Sequence, residues 1–267
     1  MHNSYIRLIA EAIEPLYGQR EAENIARGMG EYIVEWPPEK VDTAILRLCQ
    51  NEPWQYVVGY AWFYGLELAV SPATLIPRPE TEELVYNILQ QQPRHGRMEI
   101  LDIGTGSGCI PLAVKANRPE WQVSSCDVSA DALDVARSNA AKNQLDVVFF
   151  EQDIFRNFPD PDREWDIIVS NPPYIPHREA ELMRDNVLKY EPHLALFVPD
   201  ATPLLFYRRI AEIGLSHLKA EGYLYFELNE YYADDTRAMV QKLGYQKVSV
   251  QNDLSGKSRF LVAQRPV

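Results

Sequence analysis

The sequence predicts a doubly wound, mostly parallel seven-stranded α/β sheet, and three observations carry that prediction. From Pro79 onward, apolar strand-like runs alternate with segments of helical period. The first of these strands runs straight into a glycine turn, Gly104-Thr105-Gly106-Ser107-Gly108, that opens a helix. The chain then closes on two strand-like runs joined by the turn-rich Asp253-Leu254-Ser255-Gly256-Lys257. Alternating strands and helices cover both faces of a sheet, and a closing hairpin puts one antiparallel strand at or near an edge. A small N-terminal helical bundle and a β-hairpin linker complete the expected architecture.

The elements follow in order. Residues 1–52 read as short amphipathic helices, with Tyr5, Ile9, Ile13 and Leu16, then Ile25, Ala26, Met29 and Ile33, at helical spacing. Pro37-Pro38 breaks the chain, and Val41, Ile45 and Leu48 resume the pattern. This bundle carries no visible catalytic constellation and is either a recognition module or a cap. Residues 53–77, rich in β-branched and aromatic side chains and punctuated by Gly59 and Gly65, read as the hairpin linker. Residues 78–267 form the sheet domain. Its strands are expected at 99–103, 122–127, 147–150, 165–170, 223–227, 247–251 and 259–263. Its helices are expected near 81–89, 109–116, 131–143, 203–218 and 232–243.

Composition bounds the partners. The chain has 267 residues, 46% hydrophobic and 24% charged, enough to bury a full core without disulfides or metal. A formal charge of −12 opposes non-specific binding to DNA or anionic lipid. No stretch approaches a membrane span, and the segment after Met1 lacks the basic and apolar regions of a signal peptide. Cys49, Cys109 and Cys126 match neither a disulfide framework nor a metal-ligand set, so no metal is expected and the cytoplasm is the default location.

The glycine turn lets a ligand approach the backbone closely, but its spacing is G-x-G-x-G, not the G-x-G-x-x-G of pyrophosphate sites. The next strand ends at Asp127, 25 residues beyond Asp102, where a carboxylate can accept both hydroxyls of a ribose. Past the third strand, Asp153 is placed to accept from an adenine amino group while Ile154 covers the ring. Asp102 is read as a supporting or ammonium-facing carboxylate, or else as a cap on the following helix. These features describe a phosphate-free adenosine ligand, and S-adenosylmethionine fits best.

The fourth strand ends in Asn171-Pro172-Pro173-Tyr174. Two prolines hold the chain stiff and leave the Pro172 carbonyl without an easy internal partner. With the Asn171 side-chain carbonyl, it offers two acceptors for both hydrogens of a planar NH₂, and Tyr174 supplies a flat wall. Such a site aims an sp² nitrogen, a poor nucleophile, at a methyl donor by positioning and electrostatics. No strong base is needed beforehand, because the methylated cationic product sheds its proton readily.

This tetrapeptide resembles that of the amino-methyltransferases acting on adenine N6, RNA guanine or protein glutamine. Other segments narrow the resemblance: Leu75-Ile76-Pro77-Arg78-Pro79-Glu80-Thr81-Glu82-Glu83-Leu84-Val85, Glu52 to Gly59 with Phe63-Tyr64-Gly65, and Tyr190-Glu191-Pro192 with Leu194 to Phe197. From about residue 50 onward the chain resembles the peptide-chain-release-factor glutamine methyltransferases (the HemK/PrmC family). That resemblance implies a class I, Rossmann-like methyltransferase. Its expected substrate is the glutamine of the Gly-Gly-Gln loop in class I release factors, methylated at N5.

A monomer without direct nucleic-acid or membrane contact is expected. Donor contacts fall on Gly104, Thr105, Gly106, Ser107, Gly108, Asp127, Asp153, Ile154 and Asn171. The chemistry falls on Asn171, Pro172 and Tyr174, with Pro173 beside the acceptor amide. Arg78 and Glu80 have a plain reading in a helix start, with Thr81 capping and Glu83 favoured by the dipole. The resemblance instead lays them over the cleft as substrate-side organisers.

Three rivals share parts of this pattern. A ribosomal-protein glutamine methyltransferase differs only in its N-terminal region and loops. An adenine-N6 DNA enzyme must flip its base and needs a basic face that a charge of −12 does not provide. A non-catalytic cofactor-binding adaptor leaves the tetrapeptide unexplained.

Overall fold

The computed structural model describes residues 2–156, 158 and 163–267; Met1, the first residue of the expected bundle, lies outside them. Four helices open the chain: α1 (His2–Tyr17), α2 (Gln19–Ile33), α3 (Pro38–Cys49) and α4 (Trp54–Val58). A hairpin follows, β1 (Tyr60–Phe63) and β2 (Leu66–Ala69), then α5 (Pro79–Gln91). The sheet region continues with β3 (Glu99–Ile103), α6 (Cys109–Asn117), β4 (Gln122–Asp127), α7 (Ala130–Lys142), β5 (Val148–Glu151) and β6 (Trp165–Ser170). After β6 come the short β7 (Ile175–Pro176), α8 (Asp185–Tyr190), α9 (His193–Leu196) and β8 (Phe197–Val198). The chain ends with α10 (Leu205–His217), β9 (Leu218–Glu227), α11 (Ala233–Lys242), β10 (Gln246–Asn252) and β11 (Ser258–Gln264).

Seven strands make the main sheet in the order β10-β11-β9-β6-β3-β4-β5. β9, β6, β3, β4 and β5 run parallel, and β11 pairs antiparallel with both β9 and β10, next to the edge as expected. Strand alternation sends side chains to two separate cores. Leu101, Ile103, Ile168, Leu224 and Phe226 pack on one face with residues of α10 and α11. Ile100, Ile167, Val169 and Tyr225 pack on the other with α5, α6 and the hairpin residues Phe63 and Leu68. This is the double winding the alternation predicts.

The N-terminal helices close over their own core, in which Ile9, Ile13, Met29, Ile33 and Leu48 are buried. Pro38 opens α3 at its first turn, where its missing N–H costs nothing. One local expectation fails. Tyr56-Val57-Val58 is rich in strand formers, yet it forms the helical turn α4, so the hairpin begins only at Tyr60. Pro53 starts that turn, Gly59 ends it in the left-handed region, and burial of Tyr56 and Val57 outweighs their weak helix propensity. Among the described residues, no helix is long and apolar enough to cross a membrane.

β4 and β5 extend the sheet to one side of β3, while β6 and β9 extend it to the other. That reversal opens a crevice at the carboxyl ends of β3 and β6, the position where ligands bind in open parallel sheets.

Candidate active site

A cavity of about 420 Å³ fills this crevice. Gly104 to Ser107 and Asp127 line one side of it; Ser170, Asn171, Pro172 and Pro173 line the other.

The glycine turn is tied down by backbone bonds. Gly104 and Thr105 N–H both donate to the Cys126 carbonyl at 2.8 and 3.1 Å, and Gly108 N–H donates to Thr105 at 2.8 Å. Gly104 and Gly106 have φ of 84° and 52°, a region side chains strain to enter, and no atom stands within 4 Å of an added Cβ. The bare surface therefore faces the cavity. Gly108 is different: it does not line the cavity, and an added Cβ would meet Leu112 at 3.1 Å and Ala136 at 3.2 Å. It lets α6 pack closely and supports the turn from behind.

Asp127, at the end of β4, accepts from Gly106 N–H at 3.0 Å and from Ser129 N–H at 2.9 Å. A carboxylate has about four acceptor sites, so two bonds leave room for further donors. Burial holds its carboxyl above the ordinary value, and those backbone donors oppose the rise. Below it, Asp102 is fully buried, and its Oδ2 accepts from the Ser125 hydroxyl at 2.6 Å. Burial pushes this carboxyl up to about 7. Its other oxygen, and the hydroxyls of Thr105 and Ser107, are buried without a hydrogen-bond partner among the described residues. Asp102 is not a helix cap, since Gly108 occupies that position and no side-chain capping bond forms.

At the far end, Asp153 and Ile154 line the cavity. Asp153 Oδ1 accepts from Phe155 N–H at 2.9 Å, and its Oδ2 lies 3.3 Å from Arg156, while Ile154 is buried.

The acceptor wall is built from residues far apart in sequence. Asn171 Nδ2 donates to Thr81 Oγ1 at 3.2 Å, across 90 residues. Thr81 donates to Glu227 Oε2 at 2.7 Å, across 146 residues. The Tyr174 hydroxyl donates to the other oxygen, Oε1, at 3.2 Å. Tyr174 thus stands behind the wall and does not line the cavity. Among the described residues, no donor reaches Asn171 Oδ1 or the Pro172 carbonyl. Burial pushes the Glu227 carboxyl up to about 7, against the bonds from Thr81 and Tyr174 and the charge of Arg259.

Thr81 and Glu227 are the functional candidates that the sequence reading missed. Thr81 was expected to cap α5, but α5 has no side-chain capping bond, and the hydroxyl is spent on Glu227. The available signal was a carboxylate ending an otherwise apolar strand, Leu224-Tyr225-Phe226-Glu227, where burial demands a partner.

Arg78 lines the cavity and pairs with Glu191, which is buried and also accepts from Ile76 N–H at 3.0 Å. This pair straps the loop before α5 to the segment before α9. Glu80 is half-buried and does not line the cavity, and its charge adds to the rise at Glu227. Glu83 accepts from Leu254 N–H at 3.0 Å. No group of His, Cys, Asp and Glu that could hold a metal occurs among the described residues.

Known proteins are similar to this chain. A family profile described as methyltransferase small domain matches residues 81–189. A release factor glutamine methyltransferase of Bacteroides thetaiotaomicron is 47% identical over 85% of this chain and 81% of its own. The chain belongs to the release factor glutamine methyltransferase family. A second family member, from Flavobacterium psychrophilum, is 43% identical over 82% of this chain and 78% of its own. The fold extends further: a methyltransferase from Pyrococcus furiosus superposes with a TM-score of 0.56 at 20% identity, over 76% of this chain and 90% of that one. Members of the release factor glutamine methyltransferase family are methyltransferases, and this chain is one.

Proposed function

We propose that this chain transfers a methyl group from S-adenosylmethionine to the side-chain amide nitrogen of the glutamine in the Gly-Gly-Gln loop of class I peptide chain release factors. One observation carries the reading. A donor-shaped wall (Gly104 to Ser107, Asp127) and a wall with two free acceptors (Asn171 Oδ1, the Pro172 carbonyl) face one cavity of about 420 Å³.

The donor fits the residues present. Backbone without side chains at Gly104 and Gly106 admits a flat adenosine, and Asp127 keeps acceptor sites for ribose hydroxyls. Ile154 would cover the ring, and Thr105 and Ser107 line the same cavity. When bound, the donor supplies an electrophilic sulfonium methyl. The chain's own work is orientation. Asn171 Oδ1 and the Pro172 carbonyl each accept one N–H of the glutamine amide, which fixes its plane and presents the nitrogen face for in-line attack. The same acceptors stabilise the positive charge that grows on that nitrogen. They strengthen as it grows, which makes the stabilisation selective for the transition state. The Arg78–Glu191 strap closes the mouth around the substrate loop.

The N-terminal bundle, residues 1–52, is proposed to dock the factor outside its catalytic loop. Deleting residues 1–50 is then expected to raise KM for the intact factor more than for a short loop peptide; equal effects on both would reject docking. The deciding assay incubates the protein with labelled donor and purified candidate factors and maps the modified peptide by mass. Label on the Gly-Gly-Gln glutamine supports the reading, and label on a ribosomal protein or on adenine in DNA replaces it.

A further inference from the structure

A neutral carboxamide reads almost the same from either end, yet the proposed chemistry needs Asn171 to turn its oxygen, not its NH₂, toward the substrate. Two NH₂ groups face to face would repel. Nothing in the tetrapeptide itself enforces the choice, and the surrounding hydrogen bonds do.

With Glu227 ionised, the order of donors and acceptors is fixed. Both Glu227 oxygens accept, Oε1 from Tyr174 and Oε2 from Thr81. A threonine hydroxyl has one hydrogen, and here it is committed to Glu227. The Thr81 oxygen can therefore only accept from its other neighbour, so the Asn171 nitrogen must point at it, at 3.2 Å. The Asn171 oxygen is left facing the other way, into the cavity. We infer that Thr81 and Glu227 are positioning residues that set which end of the Asn171 amide meets the acceptor nitrogen. The inference rests on the glutamine-amide reading above.

The relay is held on every side. Tyr207 donates its hydroxyl to the Glu227 backbone carbonyl at 3.1 Å, and Asn229 donates to the Tyr174 carbonyl at 3.2 Å. The charged and titratable groups facing Glu227 are Arg259 from β11, Glu80 from α5, Cys109 from α6, and the hydroxyls of Tyr174 and, from α10, Tyr207; Arg259 also pairs with Asp253. Burial keeps Tyr174 and Tyr207 protonated well beyond the ordinary tyrosine range, so both remain donors.

Protonation of Glu227 undoes the constraint. A carboxylic acid can donate to Thr81, which frees the threonine hydrogen to point at Asn171 and lets that amide turn over. The relay is intact only while Glu227 is a carboxylate. Its carboxyl sits at about 7, so kcat should rise with pH through neutrality and then level.

The test compares wild type, Thr81→Ser, Thr81→Val and Glu227→Gln, each with S-adenosylmethionine and purified release factor. Thr81→Val keeps the shape and removes the hydroxyl; it should lower kcat at least tenfold while donor affinity by calorimetry stays within twofold. Thr81→Ser restores the hydroxyl and should recover most of the rate. Glu227→Gln should be slow and lose the rising limb of the pH profile. A Thr81→Val enzyme with wild-type kcat overturns the inference, as does a loss that Thr81→Ser fails to rescue, which would mark a packing effect. The wild-type profile needs no variant: a kcat that falls as pH rises through neutrality also overturns it. If wild type leaves the glutamine unmodified, the underlying reading fails instead, and the two failures are thereby told apart.

Discussion

The two walls of the cleft are held in place by different means. On the donor side, backbone groups do the holding: the glycine turn hangs from the Cys126 carbonyl, and the Asp127 carboxylate is anchored by two backbone N–H groups, Gly106 in the glycine turn and Ser129 in its own loop. On the acceptor side, side chains hold side chains, through a buried chain of bonds from Asn171 to Thr81 to Glu227 to Tyr174. Backbone anchoring survives most substitutions, whereas a side-chain relay can be cut at any link. Donor binding should therefore be robust and graded under mutation, and methyl transfer brittle.

The sharpest way to break that contrast is Asn171→Ala. It removes one of two acceptors aimed at developing charge, and losing one such group costs about 10²–10³ in kcat. Donor affinity should change little, because Gly104 to Ser107 and Asp127 are untouched. Rapid-quench transfer rates read alongside calorimetric donor affinity separate the two. A variant that loses both together would mean the walls are not independent.

On the donor side, Asp127→Ala should do the reverse. Two ribose hydroxyls lose a charged acceptor, which costs about 1.5–3 kcal/mol in donor binding, or roughly tenfold to 150-fold. At saturating donor, kcat should fall by less than about threefold. An unchanged dissociation constant removes Asp127 from the ribose site.

Each wall also rests on one buried carboxyl pushed up to about 7, Asp102 under the donor side and Glu227 under the acceptor side. They differ in their partners: Glu227 uses both oxygens, while Asp102 leaves one unpaired. Between its ordinary 3.8 and about 7, Asp102 keeps a proton in the folded chain that the unfolded chain gives up. Its contribution to stability is therefore complete at acid pH and is lost as pH rises through that window. Asp102→Asn stays neutral and can still accept from Ser125. It should stabilise the apo protein by about 1–3 kcal/mol at pH 8 and by much less at pH 4.5. Urea midpoints at the two pH values check this; an equal gain at both would mean the effect is not ionisation.

The same contrast explains what the sequence disclosed. The donor wall was legible because its parts are contiguous: Leu101 to Gly108 is one strand-turn-helix, and Asp127 ends the next strand. Asn171-Pro172-Pro173-Tyr174 was legible for the same reason. The relay behind it was not, since Thr81 and Glu227 lie 146 residues apart and meet only once α5 packs on β9. Thr81 sits in a Pro-x-Thr-x-Glu helix start, where capping is the plain local reading. The helical turn at Tyr56-Val57-Val58 was hidden for a related reason: burial against neighbouring elements, not local propensity, decided it. Glu191 was visible only as part of a motif, and its bond to Arg78 emerged only in three dimensions.

The smallest expected effect tests the far edge of the donor wall. Asp153 faces the cavity, but both its oxygens already have partners, Phe155 N–H at 2.9 Å and Arg156 at 3.3 Å. The Arg156 side chain is 85% exposed, so that ion pair holds Asp153 only weakly. An adenine amino group would add one more bond to a carboxylate that water also reaches, worth about 1 kcal/mol net. Asp153→Ala should therefore weaken donor binding only about threefold to tenfold and leave kcat alone. Asp153→Asn should recover part of the loss, because its amide oxygen can still accept from the adenine and from Phe155 N–H. A loss as large as that of Asp127→Ala would mean that side-chain contacts to the base, and not only the backbone-anchored ribose site, govern the donor half.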